Sequence, residues 1–362
     1  MKSVIQIITC LFIIGLSTTT HAFPVIYDTD MAIDDWFALL YLAKNPDADI
    51  KAVTISCSGE SHCDTGTQNA ISLLDLVPTQ KPIPVAAGDA YPLDGYFVFP
   101  SAWKKDADTL SGVAIAKPSY APSTLSAVEV LHQTISLSKT PITIVAVGPL
   151  TNIAQWLLQH PNDVKNVNRL VIMGGALDTK GNIIVPGFTD KHPNTKAEWN
   201  FFVDPLSVEI VLSSTLNIQL VGLDVTNHVR VTHEYVAHFK ALVDTPAGKF
   251  AKQVYEKNDW FIDSGEYYFW DVLAALTTTN PELCTAEPTP LAVQVEALKN
   301  PTYLATSDMN MPAKRWDGKP RSHLKAESGG VISRTVYGPV INVCIKTNAK
   351  KALKLFTETL TN

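Results

Sequence analysis

Positive charge is in short supply. Between Lys2 and Lys44 there is no Lys or Arg. No basic run stands out elsewhere, so nothing argues for a nucleic-acid partner. Cysteine is also sparse, at five residues, and none form a CxxC pair. Zinc and thioredoxin-type redox chemistry are therefore poorly supported. Beyond the N-terminus no segment is apolar enough to cross a membrane. No internal repeat and no clean linker divide the chain, which predicts one large domain. What is present is 362 residues, 46% apolar and 18% charged, with a net charge of −6 and a pI near 5.8. That balance fits a soluble protein with a sizeable core.

The N-terminus reads as a targeting segment. Lys2 supplies a positive charge, Ile5 to Leu16 is apolar but too short to span a bilayer, and Thr20-His21-Ala22 offers small residues to a signal peptidase. Cleavage after Ala22 is expected, leaving a secreted or periplasmic domain over 23–362 with no further membrane contact. An uncleaved anchor is the alternative. Cys10 lies inside the apolar run, which disfavours a lipoprotein site. Four cysteines then remain, and an exported chain can pair them. Cys57 with Cys63 and Cys284 with Cys344 are the pairings expected. Free buried thiols and other pairings stay open.

Short β-branched runs alternate with amphipathic stretches. Strands are expected at Pro24–Tyr27, Ile50–Ser56, Ile83–Ala87, Ile142–Val147, Leu170–Met173 and Ile218–Leu223. Helices are expected between them, and one helical stretch from Val231 to about Asn258. The fold class is α/β, with a mostly parallel, Rossmann-like sheet covered by helices on both faces. Ligands in such sheets sit beyond the carboxyl ends of the strands. Asp28-Thr29-Asp30, Val147-Gly148, Gly174-Gly175 and Asp224 each follow a strand, so they should share one rim. Two long loops, Gly88–Ser123 and Ala176–Lys196, are expected to wall a site.

Asp28, Asp30, Asp34 and Asp35 fall within eight residues, at the end of a strand and the start of a helix. Four carboxylates this close repel unless a cation or a hydrogen-bond network compensates. Helix capping accounts for one or two of them. A divalent cation is the economical answer for the rest, and oxygen ligands favour Ca²⁺ or Mg²⁺. A phosphotransferase of the haloacid dehalogenase type also uses a DxD pair. Its further metal acids come from a later strand, whereas here the second acid pair follows at once.

Asp28-Thr29-Asp30-Met31-Ala32-Ile33-Asp34-Asp35 resembles the DxDxxxDD signature of the calcium-dependent nucleoside hydrolase family. Val147-Gly148-Pro149-Leu150-Thr151-Asn152, Met173-Gly174-Gly175, Gly181-Asn182, Glu198-Trp199-Asn200 with Asp204-Pro205, and Trp270-Asp271 resemble its later motifs, in its order. The resemblance implies a Rossmann-like fold with no dinucleotide. It implies a Ca²⁺ held by Asp30, Asp35, Asp271 and the carbonyl of Val147. It places Asp34, Asn182, Glu198 and Asn200 on the ribose hydroxyls and leaves Asp28 to support the loop. The implied reaction is hydrolysis of the N-glycosidic bond of a ribonucleoside by water, with Asp30 as general base and an oxocarbenium-like sugar in the transition state. Two departures are Ala32, where the family commonly has Gly, and a longer loop between Asn182 and Glu198.

The residue before the last metal acid is Trp270, where many relatives have His. Trp270 and the segment Phe99-Pro100-Ser101-Ala102-Trp103 resemble the purine-preferring branch (inosine, adenosine, guanosine). Trp103 and Trp270 are therefore expected to sandwich a purine, and Glu60 to face the base. Loop anchoring for Trp103 and core packing within Tyr267-Tyr268-Phe269-Trp270 are the plainer readings. The non-enzymatic alternative is an exported nucleoside-binding protein without turnover. A homo-oligomer is left open.

Overall fold

The computed structural model describes residues 22–78, 81–93, 99–185, 189, 192–295 and 328–362. The expected targeting segment lies outside the described residues, apart from Ala22. Among the described residues, nine strands form one sheet: β1 (Phe23–Thr29), β2 (Ala48–Ile55), β3 (Val85–Ala87), β4 (Ile142–Ala146), β5 (Val167–Met173), β6 (Ile218–Val221), β7 (Cys284–Val293), β8 (Ile332–Arg334) and β9 (Val340–Thr347). Their order is β3-β2-β1-β4-β5-β6-β9-β7-β8. All pairings from β3 to β9 are parallel, and β7 and β8 add an antiparallel edge.

The helices are α1 (Ile33–Lys44), α2 (Cys63–Leu74), α3 (Ser101–Asp108), α4 (Ala127–Leu137), α5 (Thr151–Gln159), α6 (Trp199–Val203), α7 (Pro205–Leu212), α8 (Leu223–Thr226), α9 (His233–Leu242), α10 (Pro246–Lys257), α11 (Asp259–Ser264), α12 (Trp270–Thr279) and α13 (Ala349–Thr361). They cover the sheet on both faces because the strands are apolar on both sides. Along β1, Val25 and Tyr27 enter one core with Trp36 and Phe37 of α1, Leu273 of α12 and Phe356 of α13. Ile26 points the other way, to Leu131 of α4, Trp156 of α5 and Val208 of α7. Each such large side chain, removed from water, stabilises the fold by about 1.5–3 kcal/mol. That is why near-continuous apolar strands are needed here.

The order β3-β2-β1-β4-β5-β6 reverses direction between β1 and β4. Asp28 of β1 pairs in register with Ala146 of β4 on one side and Thr54 of β2 on the other. A crevice at the carboxyl end of a parallel sheet opens at such a switch point. The DxDxxxDD loop and Val147 sit on it.

Several boundaries differ from expectation. The long helical stretch after Val231 is two helices, because Pro246 starts a new one and the Thr245 side chain caps it at the Gly248 amide, 3.0 Å away. The Gly88–Ser123 loop contains α3, and α12 begins at Trp270 itself. β7 includes the proline-containing stretch before Leu291. Its prolines, Pro288 and Pro290, lie where only β9 pairs with it, since β8 reaches only Leu291–Val293. A strand tolerates proline on such an edge.

Both expected bridges form. Cys57 and Cys63 close a short loop after β2 with Cα atoms 5.1 Å apart, and Cys284 and Cys344 join β7 to β9 at 5.5 Å. The second spans 60 residues. Loop-closure entropy assigns such a crosslink about 4 kcal/mol. Replacing Cys284 and Cys344 together by Ala should therefore lower the urea midpoint under non-reducing conditions. An unchanged midpoint would show that this bridge does not constrain the unfolded chain.

Candidate active site

Backbone geometry builds the acid loop. Met31 has φ +61°, a conformation that costs a side-chain-bearing residue energy and recurs at functional sites. It is held there on three sides. The Met31 amide donates to Thr29 Oγ1 (3.0 Å) and to Asp35 Oδ1 (3.2 Å), and the indole of Trp36 donates to the Met31 carbonyl at 2.7 Å. Asp35 accepts from the amides of Asp30 (3.1 Å) and Ala32 (3.0 Å) and from the Thr29 hydroxyl. It is both an expected metal ligand and the first-turn carboxylate that accepts the amide of Ala32, the N-cap of α1.

Asp28 points into the sheet end. Its Oδ2 accepts from Thr54 at 2.5 Å and from Asn152 at 2.8 Å, while its Oδ1 is buried without a partner. Burial pushes its pKa up to about 7, against the pull of those two donors. These contacts tie it to Thr54 of β2 and Asn152 of α5.

Asp30, Asp34, Asp35 and Asp271 are 2, 8, 1 and 2% exposed, so water screens little of their mutual repulsion. Burial raises Asp30 to about 7, with Asp34 adding to the rise, and raises Asp34 to about 6. Asp35 and Asp271 are pushed well above the carboxylate range by burial and by their acidic neighbours. Ligand atoms of Asp34, Asp35 and Asp271 lie within 4.8 Å of one another. This trio contains Asp34 where Asp30 was expected. The Asp30 carboxylate turns instead to the loop after β2, where its Oδ2 accepts the Glu60 amide at 2.8 Å. The four acids together, all oxygen donors and buried beside one another, fit a hard divalent cation.

The sequence offered no local cation, but the fold brings one. Lys104 of α3 donates to the Gly59 carbonyl, and its charge draws down both Asp30 and Glu60 without cancelling their elevation. Half-buried Glu60 is pushed well above its usual range by burial, then by Asp30 and Asp34. Lys104 had no periodicity to mark it, because α3 is short and mostly exposed.

The other expected residues converge on the same rim. Asn200 donates from Nδ2 to the Val147 carbonyl at 2.7 Å, so the expected carbonyl ligand and an expected ribose contact touch each other. Glu198 caps α6. Its Oε1 accepts the Asn200 amide at 2.9 Å, and its Oε2 accepts the Gly175 amide at 3.0 Å and the Phe201 amide at 3.2 Å. Burial raises it to about 7, and these donors oppose the rise. Asn182 Oδ1 accepts the Trp199 amide at 3.0 Å, which ties the Gly181-Asn182 turn to Glu198 despite the long loop between them. Asp204 accepts from Thr151 at 2.6 Å. Asp224 stands on the rim but away from the acids, accepting the amides of Leu177 and Asp178.

The two tryptophans sit in separate aromatic groups. Trp103 meets Trp199 edge-on at 5.4 Å and Phe99 at 6.3 Å. Trp270 packs against Phe261, Tyr267 and Tyr268 at 5.7–6.3 Å. The Nε1 atoms of Trp199 and Trp270 are buried with no acceptor. Trp199 was not singled out as an aromatic contact by the sequence. Residues 94–98, 186–188 and 190–191 of the two expected wall loops lie outside the described residues.

Fold and site together define an α/β protein with a cation-fitting acid cluster at the switch point of its sheet. A family model described as inosine-uridine preferring nucleoside hydrolase matches residues 25–351, and the chain belongs to that family, whose members are ribonucleoside hydrolases. It is 36% identical over 220 residues to the pyrimidine-specific ribonucleoside hydrolase RihA of Citrobacter koseri; the match covers 61% of this chain and 66%, just under two thirds, of that relative. In fold it is similar to the inosine-uridine preferring nucleoside hydrolase from Bacillus anthracis (TM-score 0.73, 22% identity, 94% of this chain and 99% of that one). It is also similar to the purine-preferring ribonucleoside hydrolase from Gardnerella vaginalis (TM-score 0.70, 22% identity, 93% and 98%).

The raised acids make a prediction. A carboxyl whose folded pKa lies above its unfolded value of 3.8 keeps its proton in the folded chain after the unfolded chain has lost it. Its contribution to cation-free stability is full below about pH 4 and is lost as the pH climbs through about 7. In chelator, the melting temperature should fall between pH 5 and 7.5. A divalent cation at one fixed concentration should restore stability more at pH 7.5 than at pH 5; where that concentration is a hundredfold over Kd the stabilisation is about 2.7 kcal/mol. An equal effect at both pH values would mean that the cation does not replace protons on these acids.

Proposed function

We propose that the chain hydrolyses ribonucleosides, preferring purines, to free base and ribose. The observation that supports this most is the buried acid cluster at the switch point, with Glu198, Asn200 and the Val147 carbonyl on the same rim. Asp30, Asp35, Asp271 and the Val147 carbonyl are the proposed holders of Ca²⁺. Bound there, Ca²⁺ would lower the pKa of a coordinated water and orient it.

Asp30 accepts the proton of the attacking water. The bond from C1′ to the base nitrogen breaks with its electron pair going to the base, and the water oxygen bonds to C1′. Asp34, with Glu198, puts negative charge beside the sugar as it becomes cationic. That charge acts more on the transition state than on the ground state. Asn182 and Asn200 hold ribose hydroxyls. Trp103 and Trp270 offer π-faces to the base. The Trp270 indole, unpartnered at Nε1 and next to Asp271 in the chain, is not an acid. The leaving purine takes its proton from solvent or a neighbouring acid, and the cationic ring is favoured by indole π-clouds.

The second reading is a pyrimidine preference, favoured by the name of the 36% identical relative. Export through the N-terminal segment is part of the same proposal and would suit scavenging of external nucleosides.

Purified protein with Ca²⁺ should release ribose from inosine, and Asp30→Ala should abolish turnover. Binding of inosine without ribose release would leave only a nucleoside-binding protein. Inosine should exceed uridine in kcat/KM, each stack contributing about 1–3 kcal/mol. Trp270→Ala should slow inosine far more than p-nitrophenyl riboside, whose leaving group needs no proton. Equal kcat/KM values, or a higher one for uridine, would favour the pyrimidine reading.

A further inference from the structure

The loop closed by Cys57 and Cys63 has no part in the steps above, yet it lies directly on Asp30. The Ser56 amide donates to the Thr29 carbonyl at 2.7 Å, and the Ser61 amide to the Asp30 carbonyl at 2.9 Å. The Glu60 amide donates to Asp30 Oδ2 at 2.8 Å. A Cβ on Gly59 would stand 2.3 Å from that same oxygen, and one on Gly148 would stand 3.0 Å from Oδ1. The Asp30 carboxylate is thus pressed between two glycine backbones, which leaves it little freedom to rotate.

The loop is itself held from α3. The His62 amide and ring meet Asp108 at 3.0 and 2.6 Å. Lys104 donates to the Gly59 carbonyl. One peptide unit, Gly59–Glu60, therefore has its carbonyl on Lys104 and its N–H on Asp30. A cation on the carbonyl polarises that peptide and strengthens the bond donated by its N–H.

We propose that Lys104 is a positioning residue for Asp30, acting through the Gly59–Glu60 peptide of the disulfide-closed loop. The proposal rests on the reading of Asp30 as general base and cation ligand. Lys104 touches neither substrate nor reacting atoms in it. Its role is to fix the plane and orientation of the Asp30 carboxylate, and the disulfide closes the ends of the loop that carries the peptide between them.

The test uses the full chain with both bridges formed. Lys104→Met keeps the aliphatic stem and removes the donor and its charge. It should lower kcat for inosine by about 10- to 100-fold, the usual cost of losing an outer-shell partner, while KM moves little. Ca²⁺ affinity, read by titration calorimetry without substrate, should fall as well, and Lys104→Arg should recover most of both. Cys57→Ala with Cys63→Ala should lower kcat in the same way. On that background Lys104→Met should cost much less than it does alone, because both act through one loop. Wild-type kcat and Ca²⁺ affinity in Lys104→Met would overturn the proposal. So would a loss that tracks a lowered melting temperature, that Arg does not rescue and that adds fully to the loss from the cysteine pair. If the wild-type chain hydrolyses no nucleoside, the proposed function fails, and the calorimetric comparison still reads the clamp on Asp30.

Discussion

Repulsion among buried carboxylates is the constraint around which this structure is arranged. Asp28, Asp30, Asp34, Asp35 and Asp271 share one end of the sheet, and burial raises all five. In water such a group would be screened; here the low dielectric makes each neighbour costly. The fold answers with fixed dipoles. Amides of residues 30, 31 and 32 turn onto Asp35, Thr54 and Asn152 onto Asp28, and the Glu60 amide onto Asp30. The left-handed Met31 is the backbone counterpart of the same arrangement, in which three successive amides face one carboxylate. The dipoles offset part of the repulsion and leave the rest for a cation.

The topology explains why the acids meet at all. β1 lies inside the parallel strands, between β2 and β4, so a loop leaving its carboxyl end is flanked by the ends of both at once. Asp271 arrives from the first turn of α12, which packs on α1 in the core that contains Trp36 and Leu273. Packing energy from that core, spread over many apolar side chains, is what holds a charged cluster together that would otherwise open.

Much of this was legible in the residues. Strand positions from β1 to β6 followed from β-branched runs. The shared rim followed from turn signals after each strand. Both expected cysteine pairings are the ones that form. What escaped was set by contacts distant in sequence. Lys104 is an ordinary lysine until α3 brings it over Gly59, and no pattern in Ser101–Asp108 announces a partner in residues 57–63. Glu198 was read as a ribose contact, and the capping of α6 by the same carboxylate was not foreseen, because α6 is five residues long and too short to show a period. The placement of Asp34 beside Asp35 and Asp271, with Asp30 turned toward Glu60, depends on side-chain rotation, which spacing does not encode.

The site divides into two parts with different structural origins. Asp28, Asp30 and the Val147 carbonyl sit at or just after strand ends, and Asp34 and Asp35 in the first turn of α1 that follows β1, while Glu198 and Asn200 come from the start of α6 and Asp271 from the start of α12. The aromatic groups belong to peripheral elements: Trp103 to α3 inside a long connection, and Trp270 to the start of α12 beside Phe261 of α11. A change in α3 or α11 can reshape the aromatic wall while leaving the strand ends as they are. On the proposed reading, the first part handles the sugar and the second the base. One sheet can then serve relatives described as pyrimidine-specific and as purine-preferring alike. In this chain the two parts also meet at α3, which carries Trp103 and, one residue later, the lysine that reaches the loop over Asp30.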